Sequence, residues 1–126
     1  MPIIYHIAFK NAWNEAKQKG EYIHPSLKDE GFIHCSLENQ IPGVLERYFQ
    51  GETDLVKLVI DTEKLTSKLI FDWSKSTADT FPHIYGPINV SAVTDVLDVR
   101  QKISDYFANF LKSISRISNF SPAERK

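Results

Sequence analysis

The strongest constraint on this chain is a series of short apolar runs, rich in β-branched and aromatic residues, with helix- or turn-length segments between them. Ile3–Phe9 has the composition of a buried first strand. Leu55–Asp61 is nearly all apolar and reads as a central strand, and Leu69–Trp73 reads as another. His83–Gly86 is a short strand or turn held between Pro82 and Pro87, and Val93–Val99 closes the sheet. Asn11 is placed to cap a helix through Lys19, which Gly20 stops, and Ala12, Trp13 and Ala16 share one of its faces. Glu21–Glu30 is broken by Pro25, with Ser26 capping a single turn that ends at Gly31. Phe32–Ser36 is a short strand. A second helix starts near Pro42, runs through Gln50 and closes at Gly51, with Val44, Leu45, Tyr48 and Phe49 as its apolar face. Ser74–Thr80 is a polar loop. Strands with intervening helices exclude an all-α or all-β chain. No glycine-rich turn follows a strand, which excludes a Rossmann dinucleotide loop and a P-loop.

Ile103, Tyr106, Phe107, Phe110, Leu111, Ile114 and Ile117 form the stripe of an amphipathic helix. That face can dock on its own domain, on a second subunit or on a foreign protein partner. The division is therefore a core over residues 1–100, a helix over 101–120 and a frayed tail over 121–126. At 126 residues the chain has room for one core. Its net charge is −1, from 15 basic and 16 acidic residues, so no global field holds nucleic acid or an anionic membrane. A single cysteine excludes an internal disulfide and a cysteine zinc finger. Met1–Lys10 lacks the charge and apolar length of a signal peptide, and no run is long enough for a membrane helix. These features point to a cytoplasmic protein.

Three of the four histidines, His6, His34 and His83, fall within or beside apolar strands. A buried imidazole needs partners or a ligand. Each can be a satisfied core or edge histidine. Together they can line one cleft. No two have the local spacing of a metal pair, so no metal is expected. In Gly31-Phe32-Ile33-His34-Cys35-Ser36, strand alternation puts His34 and Ser36 on one side, where they can jointly hold a polar ligand such as a ribose. No orienting acid is evident for a hydrolytic nucleophile, and Ser36 can equally cap the next helix. In Phe81-Pro82-His83-Ile84-Tyr85-Gly86-Pro87-Ile88, His83 and Tyr85 share a face, and an aromatic beside a histidine suits a flat heterocycle. A rigid turn is the alternative. Cys35 faces away from His34 and reads as inert packing. Glu30, Asp72 and Asp79 are the acids near this region.

Ile4–Ile7, Glu30–Ser36 with Gln40 following, and Phe81–Ile88, in that order, resemble the small bacterial family known as domain of unknown function 952. The likeness runs from about Pro2 to about Arg100 and leaves the last helix out. That family is grouped by fold similarity with the ADP-ribosyltransferases. The resemblance implies an α+β fold with a split, curved, mostly antiparallel sheet and flanking helices, holding NAD in a cleft between two half-sheets. The C-terminal amphipathic helix is an addition to it. In the poly-ADP-ribose polymerase type, a strand histidine with Ser or Thr two residues later contacts the adenine-side ribose, and a tyrosine stacks on the nicotinamide. His34 with Ser36 looks like the first element and Tyr85 like the second, with His6 beside them. Many transferases add a glutamate that stabilises the charged ribose. None lies between Glu63 and Glu124 here. Where relatives carry Trp-Glu, this chain has Phe71-Asp72-Trp73, so Asp72 is a shorter candidate. His83 is another, because RNA 2′-phosphotransferases of the wider fold use histidines.

Three readings follow. The first is an NAD-dependent ADP-ribosyl transferase or NAD-glycosidase-like enzyme with His34, His83 and Asp72 as catalytic residues and NAD as substrate. The second is a module of the same fold that binds a nucleotide-like small molecule without turnover. The third is an interaction domain working through residues 103–117, in an oligomer or with a protein partner.

Overall fold

The computed structural model describes residues 2–100, and the stretches 101–120 and 121–126 lie outside the described residues. In chain order the elements are β1 (Ile3–Phe9), α1 (Lys10–Lys19), β2 (Glu21–Tyr22), α2 (Ser26–Asp29), β3 (Ile33–His34), α3 (Ile41–Tyr48), β4 (Leu55–Asp61), β5 (Lys68–Ser74), β6 (Asp79–Tyr85), β7 (Ile88–Asn89) and β8 (Val93–Asp98). Single 3₁₀ turns lie at Glu38–Gln40, Thr62–Lys64 and Val90–Ala92.

The strands make three antiparallel sheets, ordered β1-β4-β8, β2-β7 and β3-β6-β5. The apolar run Leu55–Asp61 is the middle strand of the first sheet, as its composition requires, because both its edges and both its faces are covered. The first and third sheets are stitched together at one point. Tyr5 and Ser36 exchange two backbone hydrogen bonds of 2.8 Å, so β1 meets the chain just beyond β3. Ile4, Ile33, Leu58, Ile60, Ile84 and Ile88 are fully buried in one cluster, and Trp13 and Ala16 of α1 pack into it. A smaller cluster of Ile7, Ile41 and Leu55 holds Val44, Leu45 and Phe49 against the first sheet. Each buried aliphatic side chain contributes about 1.5–3 kcal/mol. The mixed α+β class and the antiparallel pairing agree with the sequence reading.

Several local expectations are corrected. Asn11 does not cap α1. The cap position is Phe9, without a side-chain bond, and the helix start is tied down by Lys10 N–H donating to Asp54 O at 2.8 Å. Ser26 lies inside α2, and its hydroxyl donates to Phe32 O at 2.8 Å. Tyr48 is 69% exposed rather than part of the packed face of α3, which ends two residues before Gln50. The loop expected over Ser74–Thr80 is shorter, because Ser74 pairs with Asp79 and the hairpin turns within residues 75–78. The strand expected to start at His83 therefore begins at Asp79 and runs through Pro82. A proline in a central strand is unusual. Here its carbonyl accepts from Cys35 N–H at 3.0 Å, and the return bond its missing N–H forgoes lies just past the end of the short β3–β6 ladder. Gly20 stops α1 as expected, at φ 90°.

Gly86 is required by close approach. Its φ is 157°, and a methyl there would meet Ser67 Cβ at 2.9 Å. Ser67 cannot move away freely, because its hydroxyl donates to Pro87 O at 2.6 Å. Gly86→Ala is expected to cost about 1–3 kcal/mol in urea unfolding. A neutral result would mean that the Ser67–Pro87 bond is not holding this corner.

Candidate functional site

Opposite residues of an antiparallel ladder point to the same face. His34 lies opposite His83, and Asp72 lies opposite Phe81. One face of the third sheet therefore carries His34, His83, Tyr85, Phe81, Asp72 and Ser74, while Ile33 and Ile84 point into the core. This face borders a cleft of about 640 Å³, within the usual range for small-molecule sites. All four histidines of the chain line it: His6 from β1, His24 from the turn before α2, His34 from β3 and His83 from β6. The expected convergence of His6, His34 and His83 with Ser36 is thus present in the cleft wall. Asp72 and Tyr85 are on the same sheet face but are not among the lining residues. Asp72 reaches the cleft only through His83.

The imidazoles are held in different ways. His6 is buried, its Nδ1 is 2.6 Å from His34 O, and its Nε2 is 2.9 Å from the Tyr22 hydroxyl. A carbonyl only accepts, so Nδ1 carries the proton and Nε2 accepts from Tyr22. Burial pushes the His6 pKa down to about 4. The bond to His34 O opposes that shift, and His24 and His34 add to it. His6 is therefore neutral near pH 7 and clamps β1 to β3. Burial likewise raises the Tyr22 and Cys35 pKa values, and Cys35 is inert packing as expected. His24 Nδ1 accepts from Ser26 N–H at 3.0 Å. Its pKa is lowered by burial first and then by His34, while Glu30 acts the other way.

His34 Nε2 lies 3.1 Å from both oxygens of Glu30, the residue one helical turn earlier in number. An acid thus orients His34, contrary to the expectation that none stands nearby. His83 Nδ1 lies 2.8 Å from Asp72 Oδ2, and the Tyr85 hydroxyl donates to the same oxygen at 2.5 Å. These two donors, Tyr85 first, hold the Asp72 carboxyl below the usual carboxylate range, and Asp72 in turn raises the Tyr85 hydroxyl. Phe32 stacks on the His83 ring at 4.0 Å and 14°, and the His34 and His83 rings are 5.1 Å apart. The lone pairs of His6 and His24 are committed to Tyr22 and Ser26. Among the described residues no group of three His, Cys, Asp or Glu is arranged to hold a metal ion.

Sequence reasoning did not assign His24, Arg47 or Thr77. Arg47 lines the cleft from α3 and has no ion-pair partner among the described residues. Thr77 lines it from the β5–β6 hairpin, and its hydroxyl is buried without a hydrogen-bond partner. Trp73 and Phe81 add aromatic surface. The Arg47 guanidinium lies 5.7 Å over the Tyr48 ring and, with the aromatic walls, suits an anionic ligand with a flat ring. No helix among the described residues is long and apolar enough to cross a membrane.

The comparisons with known proteins agree with this architecture. The crystal structure of protein CC0527 from Caulobacter crescentus superposes with a TM-score of 0.73 at 30% identity, covering 85% of this chain and 99% of that one. The solution NMR structure of the same bacterial protein gives a TM-score of 0.68 at 33% identity, covering 79% of this chain and 85% of that one. No curated protein matches the chain. The profile of one family, described as "Protein of unknown function (DUF952)", matches residues 7–96, which includes the His34–Ser36 and Phe81–Ile88 segments. The chain belongs to that family of unknown function.

Proposed function

We propose that the cleft binds NAD or a closely related dinucleotide and cleaves its nicotinamide–ribose bond, as an ADP-ribosyltransferase-like or NAD-glycosidase-like enzyme. One observation carries this reading: His34, Ser36 and His83, the residues matched to that fold's ribose-binding and catalytic positions, open onto one cleft of nucleotide size. His34 and Ser36 hold the adenine-side ribose. Arg47 meets the pyrophosphate. Departure of nicotinamide leaves positive charge on the ribose, which a carboxylate in the cleft stabilises. Glu30 takes that role in this account, because it lines the cleft and Asp72 does not. Tyr85 is likewise held behind His83, so Trp73 and Phe81 become the stacking surfaces for nicotinamide.

Nicotinamide released from NAD is the direct assay. His34→Ala is expected to weaken NAD binding about 10-fold, the worth of one good hydrogen bond. Glu30→Gln is expected to slow release with little change in binding. A nucleotide-binding module without turnover is the second reading. It is favoured by the engagement of Glu30 with His34 and of Asp72 with His83, which leaves no unpaired carboxylate at the rings. Binding without nicotinamide release would decide for that module. Neither binding nor release would remove both.

A further inference from the structure

Resting on the NAD reading, we propose that His83, oriented by Asp72 and Tyr85, is the general base of the cleft and that the acceptor it activates is a neutral hydroxyl, water or an alcohol. The geometry is that of an acid–imidazole dyad. Nδ1 faces a carboxylate at 2.8 Å, so it carries the proton. Nε2 is then the lone-pair nitrogen, and it makes no hydrogen bond among the described residues. Phe32 stacks against one ring face. Asp72 stays outside the cleft, so its charge acts on the imidazole and not on the substrate. Tyr85 shares the Asp72 oxygen and keeps the carboxylate ionised and in place.

The acceptor class follows from the surroundings. Ser74, Thr77, Phe81 and Trp73 line the cleft beside His83, and none is charged. A cationic amine or guanidine acceptor would meet no acid there except Glu30, which is paired with His34. With water the step balances. The O–C1′ bond forms, the C1′–nitrogen bond to nicotinamide breaks with its electron pair going to the ring, and the water proton passes to His83 Nε2. The products are ADP-ribose, nicotinamide and a proton.

Three measurements test this together. Nitrogen-15 NMR reads the His83 tautomer, diethyl pyrocarbonate reads the nucleophilicity of Nε2, and nicotinamide release reads turnover. The native protein is expected to show the Nδ1-protonated tautomer. Asp72→Ala is expected to leave Nδ1 without an acceptor, let the proton move to Nε2 and slow both acylation and release at least about 10²-fold. NAD binding should be kept. Tyr85→Phe leaves His83 the only donor to Asp72 and is expected to keep the Nδ1-protonated tautomer. An Nε2-protonated His83 in the native protein would overturn the proposal. So would unchanged acylation in Asp72→Ala. Release that is absent from native protein despite the expected tautomer would overturn the NAD-cleaving reading, and the acceptor role with it. The tautomer result tells that failure apart from a failure of the dyad.

Discussion

Acidification from pH 7 to pH 4 is expected to remove about 3 kcal/mol of folding stability through His6 alone. The folded pKa is about 4, against 6.5 in the unfolded chain. Between those values the unfolded state binds a proton that the folded state refuses. The stability is therefore fully present above about pH 6.5 and is lost as pH falls toward 4. Charging His6 would put a second donor on Nε2, against the Tyr22 hydroxyl that now donates to it. His24, whose pKa is also lowered, adds to the loss in the same direction. Asp72 acts in a different window. Its folded pKa is depressed, so its contribution is present above the ordinary carboxylate pKa and is lost as pH falls below it. Against a typical total of about 5–15 kcal/mol, the His6 effect is large. Urea unfolding of native protein and His6→Gln at pH 7 and pH 4 measures it. The variant is expected to be weaker at pH 7 and to lose much less on acidification. Equal losses would place the acid sensitivity elsewhere.

Ile84→Ala is expected to cost about 2–5 kcal/mol, while Ile84→Val costs about 0.5–1.5. Ile84 is fully buried in the middle strand of its sheet, opposite Ile33 on one side and Leu69 on the other. Its neighbour in the chain, His83, points the other way, into the cleft. The same backbone thus supports the core and the candidate base. The cavity left by alanine should loosen the ring contacts that hold His83, so the Phe32–His83 stack should broaden in NMR as stability falls. A loss below about 1 kcal/mol would contradict the face assigned to this strand.

The sequence carried the strands better than the caps and the site pairings. Ile3–Phe9 and Leu55–Asp61 announce themselves because a β-branched apolar run has few other ways to be buried, whereas Val93–Asp98 is an edge strand with no fully buried residue. Asn11 misled, because a helix that leaves a strand directly can anchor its first turn on another backbone carbonyl, here that of Asp54. Pro82 misled, because a proline reads as a break, whereas here the one bond it forgoes lies just past the end of the short β3–β6 ladder. The period of two placed His34, Ser36, His83 and Tyr85 on common faces, and the motif order tied them to one family. It did not show that the Asp72 carboxylate belongs to His83 and Tyr85, since a bond between neighbouring strands depends on register. Glu30 was legible as an acid just before the first motif, but its pairing with His34, four residues on, was not assigned. His24 and Arg47 carry no local signal. They enter the cleft only because α2 and α3 fold over it.

The central claim is that the cleft between His34, Ser36, His83 and Arg47 is a dinucleotide site. Titrating NAD into nitrogen-15-labelled protein, with chemical shifts followed residue by residue, tests it most directly. Saturable shifts are expected, centred on His6, His24, His34, Ser36, Arg47 and His83 and weakened about 10-fold in His34→Ala. The core-facing Ile33 and Leu58 should be nearly unmoved. No saturable shift at millimolar NAD, or shifts confined to residues away from this cleft, would contradict it.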